Sequence, residues 1–300
     1  MSVLHPDEHG KSGSTAATEA YALYDEVAEG AAALVIKRYS TSFSLASRLL
    51  AEPVRTRVCN IYALVRVADE IVDAPRPDGD HDQQLRLLDS LQAEVHEAMR
   101  TGHSANLVVH AFARTARACG IGTDLVDPFF DSMRTDLFRT EHDEASFATY
   151  VYGSAEVVGL MCLKAFLLDQ PDVNGAYERL APGARRLGAA FQKVNFLRDL
   201  GDDRDNLGRS YVPGLDPEHF DETMRDRLLD DIDADLAAAA AVIPQLPSGS
   251  RRAVAAAHAL FAELSRRLRN ASPERIRSER IRVPGPAKAR VVARAVTVGV

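Results

Sequence analysis

The sequence predicts an all-α protein, and three observations lead to that prediction. Its 300 residues are 46% hydrophobic but only 6% aromatic, with no Trp, and they are rich in Ala, Leu, Val and Arg, which are mostly good helix formers. Apolar residues recur at spacings of three and four along most of the chain, as on the buried face of an amphipathic helix. No alternating β-branched run and no repeat of about 20 to 50 residues occurs, so neither a sheet nor a solenoid is indicated.

The chain is expected to consist of a short tail and one large domain. Residues 1–18 are rich in Gly, Ser, Thr and charge and have almost nothing to bury, which predicts a disordered tail. Residues 19–300 are long enough to form one all-α domain with a sizeable core.

Helical periodicity begins at about Tyr21. The first helix is predicted to end at about Tyr39, and the second to run from near Pro53 to Asp73. The second helix has a buried stripe with spacings of four and three, formed by Val54, Val58, Ile61, Val65, Ala68 and Val72. The acidic segment 74–82 contains two prolines and a glycine, which predicts an exposed loop. Later helices are expected at about 83–100, 104–119, 124–138, 145–169, 177–201, 217–243, 249–270 and 284–297.

Composition excludes several classes of function. The formal net charge of -7 is the wrong sign for a nucleic-acid partner. The three cysteines, Cys59, Cys119 and Cys162, have no Cys-x-x-Cys spacing, so we expect reduced core thiols in a cytoplasmic protein rather than disulfides or a zinc site. No glycine-rich nucleotide-binding motif is present. Without a long uninterrupted apolar run or a signal peptide, the protein is expected to be soluble or at most peripheral to a membrane.

The first polar constellation lies on the second predicted helix. At about 100° per residue, its four members fall within about 60° of one another, beside the apolar stripe; they are Tyr62, Arg66, Asp69 and Asp73. Two interpretations are open: a solvated boundary face in which Arg66 pairs with Asp69, or the wall of an interior site.

A second constellation lies on the helix predicted at 177–201. Its members again share one face; they are Gln192, Asn195, Asp199 and Asp203. Apolar residues occupy most of the remaining circumference, which is typical of a central helix. Its carboxylates would then point into the interior, where uncompensated charge is costly, so a cation is expected to meet them. The alternative is a salt-bridged surface stripe.

The two Asp-x-x-x-Asp pairs lie about 130 residues apart and together offer four hard oxygen ligands. Magnesium suits such ligands because it prefers a few carboxylates together with water and substrate phosphate oxygens. Metal ions there would neutralise the negative charge of a bound phosphate group. Zinc fits poorly without nearby His or Cys.

Both constellations resemble the aspartate-rich signatures of the squalene and phytoene synthase family. The first signature, Tyr-x-x-x-Arg-x-x-Asp-x-x-x-Asp, is matched by Tyr62, Arg66, Asp69 and Asp73. The second, Gln-x-x-Asn-x-x-Arg-Asp-x-x-x-Asp followed by Gly-Arg-x-Tyr-x-Pro, is matched by Gln192, Asn195, Arg198, Asp199, Asp203, Gly208, Arg209, Tyr211 and Pro213. Residues 39–50, with Ser42 and Phe43, are similar to the family's Ser-Phe segment, and residues 150–161, beginning with Tyr150, to its Tyr-rich helix. The resemblance covers about residues 21–290.

This resemblance implies an isoprenoid synthase helical bundle around a deep cavity. It also implies condensation of two geranylgeranyl diphosphates, head to head, to phytoene, through a cyclopropylcarbinyl diphosphate. Three Mg²⁺ ions, with Mn²⁺ as an alternative, would be held by Asp69, Asp73, Asn195, Asp199 and Asp203. Substrate contacts would come from Ser42, Phe43, Arg66, Gln192, Asn195, Arg198, Tyr211 and Arg280. Tyr62 and Tyr150 would position the diphosphate or relay a proton.

One residue departs from the family pattern, and the role of one group of small residues stays open. A tyrosine of the family's late helix is replaced by Phe261, which puts any step assigned to that hydroxyl in question. Gly153, Ser154, Ala155 and Gly159 either leave room for an isoprenyl tail or serve close helix packing.

Alternative functions also remain open at this point. Within the family, a squalene or dehydrosqualene synthase would act on farnesyl diphosphate, and squalene formation would need NADPH. A chain-elongating prenyltransferase or a cyclase could bind metal ions through similar aspartate pairs, but the residues from Gly208 to Pro213 disfavour both functions. A noncatalytic scaffold is disfavoured because all four aspartates are present. The basic and apolar segment 288–300 suits either docking on the bundle or peripheral membrane contact, and the oligomeric state is undetermined.

Overall fold

The computed structural model describes residues 9–73, 81–200, 210–215 and 219–297. Within these residues the regular structure is helical, and the β contact it contains is an isolated bridge between Glu141 and Ser210. This confirms the all-α fold class. The α-helices are α1 (His9–Tyr39), α2 (Thr41–Ser47), α3 (Val54–Asp73), α4 (His81–Thr101), α5 (Leu107–Cys119), α6 (Thr123–Phe138), α7 (Glu144–Val151), α8 (Val157–Leu167), α9 (Val173–Arg198), α10 (Glu222–Val242), α11 (Ser248–Arg269), α12 (Pro273–Ser278) and α13 (Gly285–Thr297).

The first helix begins earlier than the sequence predicts. The backbone of residues 9–18 is helical, whereas a disordered tail was expected there. The stretch that precedes Tyr21 contains helix formers such as Ala16, Ala17 and Glu19, and extending an existing helix costs far less than nucleating one. Residues 1–8, and residues 74–80 of the predicted loop 74–82, lie outside the described residues.

Two short helices are absent from the sequence prediction. α2 begins after Ser40, whose hydroxyl oxygen accepts a hydrogen bond from the Phe43 backbone N–H at 3.0 Å. α12 begins after Ser272, which caps it in the same way through Arg275. Both are too short to show helical periodicity, so their capping serines were the only local signal.

The helix predicted at 145–169 is interrupted by one turn of π-helix, Tyr152–Glu156, between α7 and α8. Such turns insert one extra residue into a helix and are frequent at functional sites. Here the turn contains Gly153, which lies so close to α6 that a Cβ atom on it would be 2.1 Å from the Pro128 carbonyl oxygen. The π turn therefore brings this segment into backbone contact with α6.

Helices α3 and α9, which carry the two constellations, are the central elements. α3 packs against α1, α4, α5, α6 and α8, and α9 packs against α7, α8, α10, α11 and the π turn. Apolar residues on different sides of α9 are buried in separate clusters, Val194 and Leu197 with α10 and α11, and Ala189 and Phe196 near Tyr150. The prediction that this helix is central is confirmed.

Small residues bring α8 and α9 into close contact. A Cβ on Gly159 would lie 2.6 Å from the Ala184 carbonyl oxygen, and one on Gly188 would lie 2.5 Å from the Ala155 carbonyl oxygen. Neither space is open to a larger side chain, so close helix packing accounts for Gly159.

The C-terminal helix α13 packs along α11, with Val292 buried between them. Among the described residues, one continuous helical stretch, Glu144–Leu167, has the length and composition of a membrane span, but 56% of its apolar window is buried in the bundle. That burial is consistent with a core helix of a soluble protein.

Candidate active site

One large cavity, of about 870 Å³, opens between α2, α3, α9 and α11. Its lining changes in character along both central helices. The first half of α3 contributes Val58 and Ile61 and its second half Asp69, while on α9 the lining runs from Leu180 to Asp199. The cavity therefore has an apolar end and a polar end, and the polar end is where α3 and α9 terminate.

All predicted site residues within the described part of the chain line this cavity. They are Ser42, Phe43, Tyr62, Arg66, Asp69, Asp73, Tyr150, Gln192, Asn195, Arg198, Asp199, Tyr211 and Arg280. Asp203, together with Gly208 and Arg209 of the second signature, lies outside the described residues.

The first constellation forms one wall of the polar end. Arg66 donates to Glu70, on the following turn, and its guanidinium reaches Asp69 only at 4.0 Å. The same guanidinium lies over the Tyr39 ring, 4.6 Å from its centroid, and its buried Nε has no hydrogen-bond partner. The pairing of Arg66 with Asp69, expected for a solvated face, is therefore marginal.

Among the described residues, the groups around Asp69 are mainly acidic, and Arg66 is a nearby cation. Burial, and then the neighbouring Asp73 carboxylate, raise the pKa of Asp69 to about 7, and Arg66 opposes this shift only in part. Asp136 on α6 adds further negative charge. A carboxyl group in this position gains from an added cation.

The second constellation differs from the first because its aspartate Asp199 has guanidinium partners. Asp199 follows the last residue of α9, and its backbone N–H donates to the Asn195 carbonyl. Its carboxylate pairs with Arg198, the preceding residue, and with Arg280, whose Nε lies 2.8 Å from Oδ1 and whose second terminal nitrogen lies 3.2 Å from Oδ2. Two guanidinium groups thus neutralise Asp199.

Asp136 links the two tyrosines of the predicted site. The Tyr150 hydroxyl donates to Asp136 Oδ2 at 2.9 Å, and the Tyr211 hydroxyl donates to Oδ1 at 3.1 Å. Sequence reasoning missed Asp136, although a signal existed: it follows Phe129 and Met133 at helical spacing, so a carboxylate occupies the buried face of α6.

Two cations at the polar end were also missed. Lys288, on α13, and Arg282 line the cavity, and the Lys288 ammonium donates to the Thr41 hydroxyl at 2.8 Å. Burial, followed by repulsion from Arg198 and Arg282, lowers the pKa of Lys288. The only sequence signal was the basic character of the C-terminal segment.

An aromatic cluster lines the cavity beside Tyr62 of the first constellation. Phe43 lies 5.7 Å from both Phe191 and Phe261 and 6.2 Å from Tyr62, measured between ring centroids. Phe191 and Phe261 stack at 3.9 Å. Phe261, which stands where the family pattern has tyrosine, thus contributes an aromatic ring and no hydroxyl to the cavity lining.

An all-α bundle around one deep cavity, apolar at one end and lined by carboxylates and guanidiniums at the other, defines an enzyme of the isoprenoid synthase fold class. The squalene/phytoene synthase family model matches residues 36–287. The chain belongs to this family, the head-to-head prenyltransferases.

Characterised relatives fall within the same family. The chain is 29% identical over 276 residues to a 15-cis-phytoene synthase of Paracoccus sp., covering 84% of this chain and 86% of that protein. It is 30% identical over 205 residues to a 4,4'-diapophytoene synthase of Staphylococcus haemolyticus, covering 65% of this chain and 67% of that protein.

Solved structures share the fold. A dehydrosqualene synthase in complex with ligand superposes with a TM-score of 0.75 at 19% identity, over 91% of this chain and 97% of that one. A squalene synthase from Alicyclobacillus acidocaldarius gives 0.70 at 18% identity, over 83% and 95%.

Proposed function

We propose that the protein condenses two molecules of geranylgeranyl diphosphate, head to head, to phytoene. The observation that carries the proposal is the two-ended cavity, in which aspartates from α3 and α9 line the polar end and apolar residues line the remainder. A diphosphate ester with a long hydrocarbon chain is complementary to such a cavity. A relative from Paracoccus sp., matched over 84% of this chain and 86% of its own length, is named as a 15-cis-phytoene synthase.

Magnesium is proposed as the cofactor because the donor set suits it. Asp69, Asp73 and Asp199 offer carboxylate oxygens and Asn195 an amide oxygen, and no imidazole or thiolate is required. Among the residues the structure describes, no three acidic, His or Cys side chains converge tightly enough to hold a metal ion by themselves. Substrate phosphate oxygens would therefore complete the coordination, which is how Mg²⁺ is commonly bound. When bound, the ions would neutralise the departing diphosphate.

The cationic side chains at the polar end supply the remaining diphosphate contacts. Arg66, Arg198, Arg280, Arg282 and Lys288 all line the cavity. Guanidinium groups bind phosphate oxygens in bidentate fashion, and an ammonium group binds them as a point charge. These residues orient the two esters so that both first carbons lie near the aromatic cluster.

The protein's main contribution to the chemistry is to protect carbocations. Loss of diphosphate from one substrate leaves an allylic cation, which the double bond of the second substrate attacks. Loss of a proton gives the cyclopropylcarbinyl diphosphate, and a second ionisation with rearrangement and loss of another proton gives phytoene. The rings of Phe43, Phe191 and Phe261, which line the cavity, would stabilise positive charge. The apolar lining excludes water, which would quench the cations.

The 4,4'-diapophytoene synthase relative favours a second candidate, the same condensation of two farnesyl diphosphates. Purified protein is given geranylgeranyl or farnesyl diphosphate with Mg²⁺, with and without NADPH, and the products are identified by mass. We expect phytoene from geranylgeranyl diphosphate without NADPH, and no product when the metal is chelated. A thirty-carbon product alone would establish the second candidate, and no condensation from either ester would overturn the proposal.

A further inference from the structure

We propose that Val242, resting on Gly183, forms the floor of the cavity at its apolar end and fixes its depth to the length of a geranylgeranyl chain. This inference rests on the proposed function and names the pair of residues that would select the substrate. Val242 is the last residue of α10 and Gly183 lies in α9, and both line the cavity. Neither residue belongs to an aspartate signature.

Helix α9 gives a scale for the depth of the cavity. It contributes lining residues from Leu180, near the apolar end, to Asp199 at the polar end. Gly183 lies 16 positions before Asp199, which corresponds to about 24 Å along the helix at about 1.5 Å per residue. Val242 rests on Gly183 and therefore lies at the same depth.

The two candidate substrates fill that depth differently. An extended chain advances about 1.2 Å per bond, so the main chain of a geranylgeranyl group spans about 18 Å and that of a farnesyl group about 13 Å. A diphosphate held through Mg²⁺ adds about 6 Å before the first carbon. A geranylgeranyl chain that starts at Asp199 and lies along α9 therefore ends at the level of Gly183. A farnesyl chain ends about 5 Å short of that level, or about one helical turn.

Glycine at position 183 allows Val242 to lie directly on the α9 backbone. A Cβ atom there would be 2.1 Å from the Val242 Cγ2 atom and 3.1 Å from its Cβ and Cγ1 atoms. Because the Val242 Cβ atom is itself so close, rotation of this stiff side chain could not make room. Glycine inside a helix is otherwise unfavourable, and here it lets the valine side chain lie deeper than any larger residue at 183 would permit.

The floor is backed by closely packed apolar side chains. Val242 packs against a buried cluster, whose members are Leu163, Leu167, Ala176, Leu180 and Leu246. After Val242 the chain turns at once through a short 3₁₀ helix, Ile243–Gln245, in which Ile243 is buried. Close-packed interiors yield little to an inserted methylene group, so a longer chain cannot push the floor down.

The first test changes the size of residue 242 and measures kcat/KM for both diphosphate esters. One methylene group in a tight apolar pocket changes selectivity about 10- to 200-fold. Val242→Leu should therefore lower kcat/KM for geranylgeranyl diphosphate about tenfold and Val242→Phe about 100-fold, with the value for farnesyl diphosphate kept within about twofold. Val242→Ala should extend the range to geranylfarnesyl diphosphate, which is one isoprene unit longer.

The control is the same substitution at Val173, the first residue of α9. Val173 packs against the same cluster but is not among the residues that line the cavity. Val173→Leu should leave the preference between the two esters unchanged, and thermal midpoints identify any variant that has lost its fold. A folded Val242→Leu variant with the original preference, or with equal losses for both esters, would overturn the proposal.

A double-mutant cycle tests the contact between the two residues. Gly183→Ala places a methyl group against Val242 and should lower both the thermal midpoint and kcat/KM for geranylgeranyl diphosphate. Val242→Ala removes two of the overlapping carbons, so Gly183→Ala should cause little loss of either quantity in that background. Equal losses in both backgrounds would show that Gly183 acts independently of Val242 and would overturn the assigned pair.

A binding measurement separates this inference from the proposed function. Thio analogues of the two esters, with sulfur in place of the ester oxygen, ionise slowly and can be titrated by calorimetry in the presence of Mg²⁺. Val242→Phe should weaken binding of the geranylgeranyl analogue about 100-fold and change that of the farnesyl analogue less than about twofold. Equal changes for the two analogues would refute the role of Val242. Absence of any condensation product from the unmodified chain would instead refute the proposed function, and the titrations would still decide the role of Val242.

Discussion

Asp69 on α3 and Asp199 at the end of α9 are carboxylates on the wall of the same cavity, but they have different neighbours. Within the described part of the chain, Asp69 has acidic neighbours, and the nearby Arg66 guanidinium is engaged by Glu70. Asp199 is paired with Arg198 and Arg280. The two aspartates therefore differ in their electrostatic environment, although their motifs look equivalent in sequence.

The difference indicates how each aspartate would respond to a divalent cation. Near neutral pH a proton partly occupies the place of a counter-cation at Asp69, because the pKa is raised to about 7. At Asp199 two guanidiniums occupy it, and these are groups that bind diphosphate oxygens well. Metal binding at α3 would release a proton, whereas metal binding at α9 would free two arginines for substrate.

The largest expected effect is a loss of kcat, and it is of similar size for a substitution in either motif. Asp69→Asn and Asp199→Asn should each lower kcat about 100- to 1000-fold, because each removes one charged ligand that stabilises the departing diphosphate. Product formation from labelled substrate measures the loss, with Asp169→Asn as the surface control. Normal turnover by Asp199→Asn would show that the reaction uses another site.

An effect of intermediate size, the pH dependence of Mg²⁺ affinity, distinguishes the two motifs. Below about pH 7 a proton competes with the metal at Asp69, so the affinity for Mg²⁺ in the presence of inorganic diphosphate should fall by up to about tenfold per pH unit. Calorimetric titrations should find this slope retained in Asp199→Asn and reduced in Asp69→Asn. An equal slope in the two variants would place the competing proton elsewhere, for example on diphosphate itself.

The smallest effect concerns the stability of the metal-free protein. The folded-state pKa of Asp69 lies above the ordinary value, so its ionisation opposes folding, and the penalty develops as the pH rises from about 4 to about 7. Asp69→Asn removes that penalty and should raise the thermal midpoint by a few degrees at pH 8, with a smaller gain at pH 5. Asp199→Asn should give no gain, because Arg198 and Arg280 lose their partner. A lower midpoint for Asp69→Asn at pH 8 would contradict the assigned cause of the pKa shift.

Much of the local structure could be predicted because it depends on spacing. The apolar stripe from Val54 to Val72 predicts helix α3, and the observed start of this helix differs from the predicted start by one residue. The apolar residues around most of the circumference of α9 predict its central position in the bundle. Short and irregular elements could not be predicted this way. The π turn at Tyr152–Glu156 depends on contact between Gly153 and α6, which no periodicity records.

The sequence by itself determined the helical class and the placing of the first aspartate motif on one face of α3, since residues three and four apart must share a helix face. For the second motif it determined the helix that carries Gln192 and Asn195, but this helix ends at Arg198 rather than at the predicted residue 201, so Asp199 follows its last residue. The tertiary structure decided which neighbours each carboxylate meets: Arg280 joins Asp199 from a segment about 80 residues away, and Asp136 joins Tyr150 and Tyr211 from α6. It also brought Lys288 of α13 to the polar end of the cavity. These contacts arise from how helices pack, and the charge state of a buried group follows from its whole surroundings rather than from its own segment.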